Sequence, residues 1–167
     1  MKRRLLFLFA VFMVGASVGW GQMIPTYYKV AVGTGGDGSS AGSPIYKANL
    51  EAALSDAALS SLDSVIILLP EGEYSANAAP YSITKSSLAI IGEGDTSTVT
   101  IKSPVDIELT NGGNVSFQKV HLTAKTSTGR GVVDIKSSKT TVSFSESKIT
   151  IEGRGTGDSL SLIHISE

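Results

Sequence analysis

The chain has 167 residues, with 14 basic and 15 acidic side chains, 18 glycines and no cysteine. This length suits one domain with one hydrophobic core. A sequence without cysteine excludes a disulfide framework, a thiolate metal site and a cysteine nucleophile. The abundance of serine, threonine and glycine favours strands over helices.

The first 21 residues have the pattern of a secretory signal. Three basic residues at positions 2–4 precede an apolar run at 5–18, and Gly19 and Gly21 supply the small residues of a cleavage site. This order predicts cleavage after Gly21, with cleavage after Ala16 as the alternative. An uncleaved anchor is disfavoured, because the run is short for a bilayer and no basic stop-transfer flank follows it. We therefore expect a secreted or cell-surface protein, or a periplasmic one, with no membrane span after signal removal.

The charge of the mature chain argues against one class of partner. Removal of residues 1–21 takes away three basic residues and no acidic one, which leaves 11 basic against 15 acidic side chains. A mildly acidic chain lacks the basic stripe that contacts phosphates, so no nucleic-acid partner is expected.

After the signal, the pattern predicts a strand, a loop, one helix and then many short strands. The first strand is predicted at residues 27–32, the Gly/Ser-rich loop at 33–44, and the helix at about 47–60, where apolar residues recur with helical period. The later strands are predicted at residues 65–69, 81–84, 88–91, 99–101, 105–109, 115–117, 120–122, 132–135, 142–144 and 149–151.

The later strands repeat with a period of 27 residues. One row of equivalent positions is Leu88, Val115 and Val142; a second is Ile90, Phe117 and Phe144; a third is Leu122 and Ile149. Three short strands per unit predict stacked equivalent strands roughly 4.8 Å apart, with the same face apolar in every unit.

The order of these segments resembles the N-terminal end of the right-handed parallel β-helix, or pectin-lyase-like, superfamily. The resemblance covers residues 27 to about 152 and depends on the glycine-rich run 35–38, the helix 50–54 and the strand segments 65–74 and 88–94. It implies an all-β solenoid with an N-terminal capping α-helix that covers the first strand edges. Leu50, Leu54 and Ala57 are the predicted capping side chains.

The core of this solenoid is predicted from the alternation within each strand. Its members are Val65, Ile67, Leu69, Ile83, Leu88, Ile90, Val99, Ile101, Val105, Ile107, Val115, Phe117, Val120, Leu122, Val133, Ile135, Val142, Phe144, Ile149 and Ile151.

The last eight residues, 160–167, can be encoded by DNA that resembles a sequencing-library adapter. We therefore expect a non-native tail and assign no role to His164; the alternative is an ordinary alternating strand. The predicted organisation is a signal peptide at 1–21, the cap and first coils at 22–159, and the tail at 160–167. No obligate oligomer is predicted for the whole protein, but segment 22–159 is expected to aggregate or dimerise end to end, because its last coil lacks a neighbour.

One strand suggests a metal site. Alternation in Val105–Leu109 places Asp106 and Glu108 on the outward side, and Asp134 follows one unit later. Pectate-lyase-like enzymes bind Ca²⁺ through acids on an outward strand, so the resemblance implies Ca²⁺ as the one candidate ion for these three carboxylates. The alternative is an ordinary solvated face, in which Glu108 pairs with Lys136 and Arg130 lies nearby.

Two other features are weaker candidates for chemistry. His121 is predicted to face outward beside Lys148, without an acid to orient it as a general base. The run Gly33 to Gly38 matches a dinucleotide-binding spacing, but no helix starts at its third glycine, so a turn is predicted. Ser40 stands where a calcium-binding glycine-rich repeat requires aspartate.

These observations leave two classes of function open. One is an exported polysaccharide-binding or polysaccharide-processing protein, a lyase, hydrolase or esterase whose active site lies mostly beyond this segment. The other is a non-catalytic surface β-helix, such as an adhesin, that binds cell-surface glycans. Residues 22–159 contain no complete catalytic motif, so whether the protein is an enzyme stays open at this point.

Overall fold

The computed structural model describes residues 24–56, 62–75, 81–83, 87–102, 105–109, 113–125, 133–136, 140–152 and 163–166. Within these ranges the chain forms fourteen β-strands and one short α-helix. The strands are β1 (Thr26–Val30), β2 (Ile45–Lys47), β3 (Ser64–Leu69), β4 (Gly72–Ser75), β5 (Tyr81–Ile83), β6 (Ser87–Gly92), β7 (Val99–Lys102), β8 (Val105–Leu109), β9 (Gly113–Gln118), β10 (His121–Lys125), β11 (Val133–Lys136), β12 (Thr140–Ser145), β13 (Lys148–Glu152) and β14 (Ile163–Ser166). The helix α1 is Leu50–Leu54.

The strands form three parallel sheets. Sheet 1 has the order β12-β9-β6-β3-β1-β2, sheet 2 the order β13-β10-β7-β4, and sheet 3 the order β14-β11-β8-β5. From β3 onward, neighbours within a sheet are three strands apart in the chain, so the chain visits the three sheets in turn. The prediction of an all-β chain with parallel pairing is confirmed. β2, β4 and β14 were not among the predicted strands.

The 27-residue period sets the register between strands. The pairs are Leu88 with Val115 and Val115 with Val142, Ile90 with Phe117 and Phe117 with Phe144, and Leu122 with Ile149. All of these predicted rows are confirmed. Because side chains alternate along a strand, a register error of one residue would expose the whole apolar set, so the core fixes this pairing.

The core lies on the inward faces of sheets 1 and 2. Eleven of the predicted core residues are buried: Val65, Ile67, Leu69, Leu88, Ile90, Val99, Ile101, Val115, Phe117, Val120 and Leu122. Three others, Val142, Phe144 and Ile149, are only half-buried against this core. Tyr28, Val30 and Leu68 are buried but were not predicted. The side chains of Ile83, Val105, Ile107, Val133, Ile135 and Ile151 lie outside the described residues.

The helix α1 is shorter than predicted and begins later. Lys47, the expected start, is the last residue of β2, because residues 45–47 pair with β1. Asn49 is the N-cap, and its side-chain oxygen accepts a hydrogen bond from the Ala52 N–H at 2.7 Å. Leu50 and Leu54 are buried as expected of capping residues, whereas residues 57–61 lie outside the described residues.

The first strand ends at Val30, two residues before its predicted end, and Val32 is fully exposed. The loop that follows returns the chain to pair β2 with β1. Gly36 has φ +88, and a Cβ there would lie 2.0 Å from the Pro44 carbonyl oxygen. Glycine is therefore required for the close approach that closes this loop.

The turns between sheets 1 and 2 stack on one another. Lys119 and Glu146, 27 residues apart, both have positive φ, 53 and 49. A Cβ on Gly92, at the preceding turn, would lie 2.1 Å from the Lys119 carbonyl oxygen. The Thr96 hydroxyl donates to the Glu146 carbonyl oxygen at 2.5 Å, so the loop after β6 spans two turns. No helix in the described ranges is long and apolar enough to cross a membrane.

Candidate functional site

The outward side of sheet 2 is a regular polar surface. Its inward positions Tyr74, Ile101, Leu122 and Ile149 pack in or against the core. The alternate positions face outward and form two rows in register across the four strands, which we call the polar face. One row is Glu73, Thr100, His121 and Lys148; the other is Ser75, Lys102, Thr123 and Thr150.

Two contacts link the rows of the polar face diagonally. Lys102 Nζ lies 2.5 Å from Glu73 Oε2, and both side chains are at least half exposed. Such an exposed ion pair contributes little to stability. His121 Nε2 lies 2.8 Å from the Thr150 hydroxyl oxygen. The polar face therefore combines hydroxyl, imidazole, ammonium and carboxylate groups on a rigid sheet.

The environment of His121 favours its neutral form. Partial burial lowers the pKa of the imidazole, and the positive charge of Lys148, its register neighbour, lowers the pKa further. The predicted outward position beside Lys148 is confirmed by the register. The hydrogen-bond partner that the structure gives His121 is a hydroxyl rather than a carboxylate, which suits a binding surface better than a general base.

The pKa of His121 leads to a pH prediction. Because this pKa is lower in the folded than in the unfolded chain, the unfolded chain binds more protons as the pH falls through the ordinary histidine range. The histidine contribution therefore leaves stability unchanged above that range and reduces it below. In the variant K148Q we expect the His121 pKa to rise, as measured by NMR titration of the imidazole in a background with H164Q to remove the second histidine signal. Equal midpoints with and without Lys148 would contradict this assignment.

The predicted Ca²⁺ carboxylates lie in sheet 3. Its register pairs Asp106 with Asp134 and Glu108 with Lys136, as the period predicted, and also pairs Asp134 with His164. The side chains at these positions, and Arg130, lie outside the described residues, so the calcium site stays a prediction. Among the described side chains, no group of three or more histidine, aspartate or glutamate residues can hold a metal ion.

The glycine-rich loop is a turn, as predicted, since it leads into β2 and not into a helix. Asp37 Oδ1 accepts hydrogen bonds from the Ser39 hydroxyl at 2.6 Å and from the Ser39 N–H at 3.0 Å. These bonds, with further help from Ser43, lower the pKa of Asp37 to about 2. The carboxylate is engaged in holding the turn, and the dinucleotide spacing has no helix N-terminus to place a phosphate on.

A cleft of about 300 Å³ lies where α1 meets the first strand of sheet 2. Asn49 and Glu51 line it from the helix side, and Glu73, Tyr74 and Ser75 from β4. Glu73 and Ser75 also belong to the polar face, so the cleft continues that face toward the cap. The Tyr74 hydroxyl donates to the Pro70 carbonyl oxygen at 2.7 Å, and burial, followed by the charge of Glu93, raises the Tyr74 pKa.

Sequence reasoning did not find this cleft. Its two sides are more than twenty residues apart, and no spacing in the sequence joins the helix start to β4. The signal that was available is the strand alternation in residues 72–75, which exposes Glu73 and Ser75. Comparison with known proteins adds no template for the site: no family model, no curated protein and no solved structure matches the chain.

Proposed function

We propose that the chain is the N-terminal part of an exported right-handed parallel β-helix and that its polar face binds polysaccharide. The solenoid is supported by the recurrence of each sheet at every third strand and by the constant 27-residue register. Right-handedness is supported by the strong preference of parallel crossover connections for that hand. The pattern of the signal segment supports export.

The observation that carries the binding function is the pair of polar rows on sheet 2. Equivalent side chains in neighbouring strands are roughly 4.8 Å apart, so their donors and acceptors form a regular grid. An extended polymer with a hydroxyl-rich repeating unit can contact several strands at once through such a grid. The adjoining cleft, with Glu51 and Glu73 in its walls, offers a place for the end or a branch of that polymer.

Binding is better supported than catalysis within the described residues. His121 contacts a hydroxyl, and Lys102 is paired with Glu73, so the arrangement matches no acid–base pair or nucleophile–base–acid set. A polysaccharide lyase, hydrolase or esterase activity would depend on residues beyond those that the structure describes.

The test uses a matched pair of double variants. T100V/T123V removes two hydroxyls from the polar face, and S116A/S143A removes two from the outward side of sheet 1. We expect about tenfold or weaker binding for the first only, since two lost hydrogen bonds contribute about 1 kcal/mol each and 1.4 kcal/mol corresponds to tenfold. Calorimetry and affinity electrophoresis with polygalacturonate, xylan and cellooligosaccharides would measure it.

Equal affinity of the two double variants would overturn the assignment of the polar face. Binding to none of the polysaccharides, with native folding shown by circular dichroism, would overturn the proposed function itself. Formation of unsaturated uronates or new reducing ends would show that the protein processes the polymer as well as binding it.

A further inference from the structure

The two ends of the strand stack are built differently. At the first end, α1 packs on β1, β2 and β4, with Leu50, Ala53 and Leu54 buried. At the other end, β12, β13 and β14 are the last strands of their sheets, and no described strand pairs with their outer edges. The first end is covered, whereas the second presents three strand edges.

Burial of the apolar rows decreases toward this second end. Ile90 and Phe117 are fully buried, but Phe144, the next residue in their row, is half-buried. The Phe144 ring stacks on Phe117 with its centroid 5.3 Å away and an interplanar angle of 11°. Its outer side has no equivalent neighbour in the described part of the chain. The apolar interior is therefore accessible at this end.

The edge strand β12 has none of the features that protect sheet edges. Natural edges are short, or bear charges, prolines or bulges. β12 pairs with β9 over all six of its residues without interruption, and the sequence TTVSFS contains neither a charge nor a proline. By contrast, the edge strand β2 at the covered end has three residues.

We propose that this end binds a second copy of the chain, end to end. The proposal depends on the β-helix arrangement proposed above, in which β12, β13 and β14 form one layer. An isolated peptide strand could pair with only one of these edges. The same end of another copy offers three edges with the same mutual placement and apolar inward positions, so it can pair with all three.

The covered end decides the kind of assembly. Head-to-tail growth would require a free strand edge at the end that α1 covers. The remaining arrangement is an isologous dimer with a two-fold axis, which closes after two copies. The two-fold axis reverses strand direction, so β12 of one copy runs antiparallel to β12 of the other. Ser143, near the middle of this strand and exposed, then lies close to its own symmetry mate.

A single introduced cysteine tests this geometry, because the chain contains no other. Ser143 pairs in register with Ser116, which lies on the same side of sheet 1 but one strand deeper. A disulfide requires Cα atoms roughly 4.4–6.8 Å apart. On mild oxidation we expect S143C to form a covalent dimer and S116C to stay uncrosslinked.

The mass of the secreted chain is measured by light scattering coupled to gel filtration. We expect twice the monomer mass, a monomer for F144K, and an unchanged dimer for the control S116K, with native circular dichroism in each. A monomeric native chain, larger aggregates, or equal crosslinking of S143C and S116C would overturn the proposal. Polysaccharide binding is measured separately, so a monomer that still binds polymer would leave the proposed function in place.

Discussion

Replacement of Phe117 by alanine is expected to lower the free energy of unfolding by about 3–5 kcal/mol. Phe117 is fully buried, pairs in register with Ile90 and Phe144, and stacks on the Phe144 ring. The substitution removes the largest side chain of its row and leaves a cavity between two strands whose backbones are held by parallel pairing. Such a cavity cannot collapse without breaking the register, so the cost lies at the upper end for its class.

Thermal and denaturant unfolding measure this effect. For a chain of this size, 1 kcal/mol corresponds to about 2–4 °C, so the midpoint should fall by roughly 10 °C. F144A is the matched control: the same atoms are removed from the same row, but Phe144 is half-buried, so a smaller loss is expected. A loss for F144A as large as that for F117A would show that β12 is buried more deeply than its described contacts indicate.

The stacking of the strands could be predicted from the sequence because a single number, the 27-residue period, fixes both the rows and their register. The prediction succeeds for Leu88, Val115 and Val142, where alternation and period agree. It also placed Lys148 beside His121. Neither result requires knowledge of which residues are distant in the chain but close in space.

The errors have the opposite cause. A helical apolar pattern from residue 47 to 60 does not reveal that residues 45–47 pair with β1, so the helix was started too early. The diagonal contact of His121 with Thr150 depends on side-chain rotamers, which the period does not specify. The cleft joins a helix start to a strand, and only the folded chain brings those two segments together.

Introduction of a charge on the inner side of the cap should have a still larger effect. A helix of five residues is not stable alone, so α1 depends on Leu50, Ala53 and Leu54 being buried against the sheets. Leu54 is 2% exposed. L54D would lose the apolar contact and place a carboxylate in the core without a partner, so we expect a loss of more than about 4 kcal/mol or release of the helix from the sheets.

Release of the helix would uncover β2 and β4 as free edges, and both ends of the strand stack would then be open. If the other end binds a second copy as proposed, L54D should form assemblies larger than the dimer, because each copy then has two pairing ends. Light scattering and thermal unfolding measure both effects. S55D is the matched control, since Ser55 is the adjacent residue and is exposed, so it should keep the native mass and a nearly native midpoint. A soluble L54D with the native mass and midpoint would show that α1 does not cap the sheets.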